Sequence, residues 1–141
     1  MRSRQICIQW KLRQNRKGDL EMQIMTSTYQ SKTMRKIHEL LYELGVNAGS
    51  CAFFHTSYAI WLAIEQPERL QLITKWLYPE VAVQYGTNWR AIERSVRRII
   101  NRIWLTNPDL LRKIAHNRLY SRPTATEFIA ILAAYISKQG R

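Results

Sequence analysis

With 141 residues, 46% of them hydrophobic, the chain is long enough to bury one core, which argues against global disorder. Its net charge of +12, from 22 basic and 10 acidic residues, predicts an anionic partner, with nucleic acid ahead of a membrane surface. No apolar run reaches membrane-spanning length, and residues 6–10 are too short and polar for a signal-peptide core, so a cytoplasmic protein without membrane contact is expected. The charge is unevenly placed. Residues 1–36 carry nine basic and two acidic side chains, and residues 88–122 carry the same balance. Residues 37–87 carry two against five. The basic surface therefore belongs to two segments. Cys7 and Cys51 stand far apart with no CxxC spacing, which fits a reducing compartment better than a disulfide framework.

In chain order, Ile6, Ile8, Trp10 and Leu12 alternate with Cys7, Gln9 and Lys11. After the turn-like Asn15-Arg16-Lys17-Gly18, Leu20, Met22 and Ile24 alternate again. Period two on both sides of a turn predicts a β-hairpin, and residues 26–33 read as a polar linker. Residues 1–33 thus form a basic extension, and residues 34–141 a separate helical domain. In that domain Ile37, Leu40, Leu41 and Leu44 make a helical stripe closed by Gly45. Residues 52–65 are apolar nearly all round and predict a central buried helix. Pro67 opens a helix carrying Leu70, Ile73, Trp76 and Leu77, and Pro79 opens a short helix to residue 85. Asn107-Pro108-Asp109 is a cap, a first-turn proline and a first-turn acid, starting a helix to about Ala115. Thr124-Ala125-Thr126-Glu127 has capping-box spacing and begins a last helix through Ser137. The expected class is all-α: a compact bundle of about six helices with an N-terminal β-hairpin extension.

Residues 86–104, GTNWRAIERSVRRIINRIW, hold five arginines and one carboxylate. At 100° per residue, Ile92, Val96, Ile99, Ile100 and Ile103 fall on one face, and Arg90, Arg94, Arg97, Arg98 and Asn101 on the other. Gly86-Thr87-Asn88 joins this helix to the one before it, with a residue tolerant of positive φ followed by two N-cap candidates. Two helices over a short glycine-bearing turn make a helix-turn-helix, whose second helix enters the major groove of double-stranded DNA. Arg90, Arg94, Arg97 and Arg98 are then candidates for base contacts, since guanidinium bonds guanine O6 and N7 in bidentate fashion. Glu93 lies at the edge of the same face. A carboxylate repels phosphates, so Glu93 either reads a base or orients Arg90 or Arg97 through an intrahelical ion pair. Thr87, Asn88 and Asn101 on the motif, with Arg112, Lys113, Arg118 and Arg122 beyond it, are candidates for phosphate contacts.

Three stretches, HELLYELGV (38–46), LITKWLYPEVAVQYGTNWRAIERSVRRII (72–100) and RPTATEFIAIL (122–132), carry a family likeness. The segment from about Met34 to Gln139 resembles the C-terminal DNA-binding domain of the stage-zero sporulation master regulator of endospore-forming bacteria. The resemblance implies a six-helix effector domain that binds short promoter boxes, often as head-to-tail pairs, and activates or represses transcription. A homodimer or tandem pair on DNA and RNA polymerase are the partners it suggests. It also implies that Glu93, Arg94 and Arg97, matching the family's Glu-Arg-x-x-Arg, face bases. Arg98 stands in place of a family histidine, Arg90-Ala91 in place of Ser-Arg, and Trp89 in place of a small residue or proline. The first turn of the helix is therefore expected to meet DNA differently. The 33 leading residues are too few for the family's phosphate-accepting receiver domain, so phosphorylation-driven dimerisation is not expected of this chain.

No nucleophile–base constellation, phosphate loop or metal spacing marks an enzyme, and no cofactor is expected. His38, His55 and His116 read as surface or satisfied core histidines, and Tyr58, Trp61, Trp76, Trp104 and Tyr135 as packing residues. A second reading stays open: a basic nucleoid- or RNA-associated protein without sequence preference, or a protein partner that modulates a full-length regulator.

Overall fold

A helix apolar on nearly every side must be surrounded, and the fold is built on that requirement. A computed structural model describes residues 20–139, with six α-helices among them: α1 (Leu20–Glu43), α2 (Cys51–Glu65), α3 (Tyr78–Tyr85), α4 (Trp89–Thr106), α5 (Pro108–Ile114) and α6 (Ala125–Gln139). The central helix is α2, which packs against α4 and α6 and is flanked by α1 and α3. Phe53, Ala59 and Ile60 on α2 are fully buried, together with Ile37 and Leu41 of α1, Leu44 just after it, and Phe128, Ile129 and Leu132 of α6. Each such large side chain contributes about 1.5–3 kcal/mol through removal from water.

Helix ends follow the sequence closely. Gly45, at φ 97°, closes α1: its N–H bonds the Tyr42 carbonyl, and the Val46 N–H bonds that of Leu41. These paired bonds satisfy carbonyls that the helix leaves open. The end of α4 supplies two further donors to the same region, Arg102 Nε to the Gly45 carbonyl at 3.4 Å and Asn107 Nδ2 to the Glu43 carbonyl at 3.2 Å. The capping box forms at α6, where Thr124 Oγ1 accepts from the Glu127 N–H at 3.2 Å and Glu127 Oε1 accepts from the Thr124 N–H at 3.5 Å.

Several expectations change. Residues 20–33 are helical, so the second arm of the predicted hairpin and the linker after it are both part of α1; the first arm lies outside the described residues. Alternation over only five residues also places Leu20 and Ile24 at helical i,i+4 spacing, and neither glycine nor proline interrupts Leu20–Glu43. No strand occurs among the described residues. The helix expected from Pro67 is instead a 3-10 segment, Pro67–Leu72, followed by a π-helical turn, Ile73–Leu77. Tighter and then wider winding shifts the side-chain register, so Leu77 is buried while Trp76 stands 40% exposed, not packed as expected. Arg69 braces the irregular stretch by donating to Gln66 Oε1 and the Trp76 carbonyl, and it lies 3.8 Å from Glu80.

Candidate nucleic-acid interface

Helices α3 and α4 meet at Gly86. Its φ of 64° and ψ of 37° are left-handed, the conformation that glycine adopts without a steric penalty. The Thr87 N–H returns to the Ala82 carbonyl at 3.0 Å, ending α3. Asn88 then starts α4 with extended backbone and a side-chain oxygen that accepts from the Ala91 N–H at 3.0 Å. The chain therefore reverses in three residues, each with a local reason to do so.

The helix α4 is divided as its sequence predicts. Ile92, Val96, Ile99, Ile100 and Ile103 are buried, and with them Ser95. Arg90, Arg94, Arg97, Arg98, Asn101 and Arg102 are exposed. Core packing fixes one side of the helix, which leaves the guanidinium groups displayed as a set on the other. Five arginines on one side of a single helix make a field that attracts polyanions.

Within this face the partners differ. Glu93 is 24% exposed and holds Arg97 at 2.7 Å, the i,i+4 ion pair weighed from the sequence. Arg97 itself remains 71% exposed. Arg122, from the segment before α6, donates to Asn101 Oδ1. Glu93, Arg97, Asn101 and Arg122 thus border one recess, closed on its other sides by Thr74, Tyr78 and the first turn of α6. Arg90 lies 5.5 Å from the centre of the Trp89 ring, and that indole is 37% exposed. Trp89, where the chain departs from its resembled family, is thereby coupled to the first arginine of the helix.

The remaining candidates lie elsewhere. Thr87 and Asn88 are exposed at the turn, although the Asn88 oxygen is engaged in capping. Arg112 stacks over Trp104 at 4.9 Å and lies 3.6 Å from Asp109, which places it by the last turns of α4. Lys113 and Arg118 are exposed, on α5 and just beyond it. Between them His116 and Asn117 take left-handed backbone, and the Asn117 N–H closes α5 on the Arg112 carbonyl at 2.8 Å. Arg102 was not singled out from the sequence; it is exposed on α4, and its place among the five arginines was the available signal.

Of the histidines, His55 is buried and bonded to Ser95, with burial holding its pKa down at about 4. His38 packs against Phe53 with ring centres 4.9 Å apart, and His116 is exposed. Among the described residues, no group of three or more His, Cys, Asp or Glu is placed to hold a metal ion. No described helix is long and apolar enough to cross a membrane.

One comparison bears on this geometry. The family model described as the sporulation initiation factor Spo0A C terminal matches residues 37–136, which includes α2 to α5 whole and most of α6.

Proposed function

The chain belongs to the Spo0A C-terminal family of DNA-binding sporulation-initiation effector domains, and from that premise we propose that it is a sequence-specific transcriptional regulator that lays α4 in the major groove. The observation that carries the proposal is the division of α4. Its isoleucine face is locked into the core, and Arg90, Arg94, Arg97 and Arg98 are displayed outward from a helix that begins at a tight turn. A helix held in this way brings side chains to base edges without unfolding any part of the domain. In this reading Arg94 and Arg97 read bases with Glu93, and Arg90 and Arg98 adjoin them. Thr87, Asn88, Asn101, Arg112, Lys113, Arg118 and Arg122 set the register against phosphates. The chain acts in the bacterial cytoplasm at the nucleoid, singly or as a homodimer or tandem pair on adjacent boxes, with RNA polymerase as its downstream partner.

Selection of bound duplexes from a random pool, followed by footprinting, tests the proposal. Enrichment of one short box, bound at least 1000-fold more tightly than random duplex, is the expected result, on the order of specific binders generally. Protection of one or two adjacent boxes distinguishes single from paired occupancy. Failure to enrich any sequence, with steep salt dependence on every duplex, would replace this reading with that of a non-specific nucleoid protein.

A further inference from the structure

Tyr78 opens α3, and its side chain is fully buried. Its hydroxyl has no hydrogen-bond partner. A buried phenol without a partner has given up its bond to water for nothing, and phenylalanine would fill the same space without that loss. The position of Tyr78 suggests a use for the hydroxyl. It borders the recess shared by Glu93, Arg97, Asn101 and Arg122. Burial pushes its pKa far above the ordinary value, the Glu93 carboxylate pushes the same way, and the Arg97 guanidinium opposes them. The hydroxyl therefore keeps its proton and is a donor lacking an acceptor. The Glu93 carboxylate, in the same recess, is paired with Arg97 through its Oε1 atom at 2.7 Å. Arg97 is mostly exposed, and any DNA phosphate or guanine competes for it. When Arg97 leaves, the Glu93 carboxylate remains at the edge of a polyanion without its partner.

We propose that Tyr78 is a positioning residue for DNA reading: its hydroxyl donates a hydrogen bond to the Glu93 carboxylate when Arg97 exchanges that carboxylate for DNA. The exchange keeps Glu93 aimed while Arg97 is released, so one ion pair in the free protein becomes two separate contacts in the complex. The inference rests on the specific-binding reading above and adds a residue to it that does not itself touch DNA.

The test uses the full 141-residue chain and its Tyr78→Phe, Glu93→Ala and doubly substituted forms. Urea unfolding is measured without DNA, and affinity is measured for the selected duplex and for a random duplex of equal length. Tyr78→Phe should unfold at the same or a higher urea concentration than the parent. It should weaken the selected duplex about tenfold, as expected for a lost bond to a charged group, and leave the random duplex unchanged. In the Glu93→Ala background it should have no further effect, because the acceptor is gone. The inference is overturned if Tyr78→Phe lowers stability, since the hydroxyl would then have a structural partner in the free protein. It is equally overturned if selected binding is unchanged, if both duplexes weaken alike, or if the effect persists without Glu93. A parent chain that does not distinguish the two duplexes removes the functional reading and this inference together. A discriminating parent matched by Tyr78→Phe removes the inference alone.

Discussion

The Nδ1 atom of His55 lies 2.8 Å from the Ser95 hydroxyl, tying the central helix α2 to the buried side of α4. The Tyr85 ring stands 4.8 Å from the imidazole at 66°, so the histidine is held between the two helices of the helix-turn-helix and the core. This bond links residues 40 positions apart and fixes the rotation of the arginine-bearing helix relative to the domain.

That placement makes stability depend on pH. Burial lowers the His55 pKa from 6.5 to about 4, so the folded protein keeps the ring neutral where the unfolded chain takes up a proton. The folded pKa is depressed, so the contribution is complete above pH 6.5 and is lost as pH falls toward 4. Between pH 6.5 and pH 5, above most carboxylate titration, the loss should be about 2 kcal/mol. Urea unfolding at pH 7, 6 and 5 measures it. His55→Gln should be less stable at pH 7 and flatter across this window. An equal slope in the variant would assign the pH dependence to other groups.

Gly86→Ala tests the turn. The Gly86 backbone is left-handed at φ 64°, a conformation that strains any residue with a Cβ. Forcing alanine into that conformation costs about 1–2 kcal/mol. The midpoint of urea unfolding should fall by the corresponding amount, and Gly86→Asn should recover part of the loss, because asparagine tolerates positive φ better. A fully stable Gly86→Ala protein would mean that the turn relaxes, and its DNA affinity would then report how far α4 had shifted.

Much of this arrangement was legible in the sequence, and the exceptions have physical causes. The two glycine helix ends, the Asn88 cap and the Thr124–Glu127 box were readable because each depends on residues within a few positions. The division of α4 was readable because its isoleucines repeat at helical spacing over three turns. Residues 20–33 depart from the hairpin-and-linker reading because alternation over five residues does not separate a strand from a helix. The exposure of Trp76 could not be seen because a switch from 3-10 to π winding leaves no mark in the hydrophobic pattern. The pairs His55–Ser95 and Arg122–Asn101 join distant segments, and sequence spacing carries no information on either. At Glu93 the alternatives were stated from the sequence, and the structure places the carboxylate on Arg97 rather than Arg90.

Removing residues 1–33 is expected to leave a folded domain, even though the cut falls within α1. What remains of that helix still carries the buried Ile37, Leu40 and Leu41, followed by the buried Leu44 and the Gly45 cap. Most helical stability in proteins comes from such a packed face rather than from length. Circular dichroism and urea unfolding of residues 34–141 should show a helical, cooperative transition. A broad, non-cooperative one would show that the N-terminal segment belongs to the core.

Arg94 and Arg118 separate reading from gripping. Both are exposed, but Arg94 projects from the outer face of α4 and Arg118 lies beyond α5. If Arg94 bonds a base, Arg94→Ala should weaken the selected duplex by about 1–3 kcal/mol and relax preference at one position of the box. Its effect on random duplex should be much smaller. If Arg118 grips a phosphate, Arg118→Ala should weaken both duplexes alike and reduce the slope of log affinity against log salt by about 1. Neither substitution removes buried surface, so unfolding midpoints should stay close to that of the parent. Fluorescence anisotropy at several salt concentrations, on both duplexes, measures all of these quantities. Equal losses from Arg94→Ala on selected and random DNA would reassign Arg94 to phosphate contact and move the search for base readers to Arg90 and Arg98.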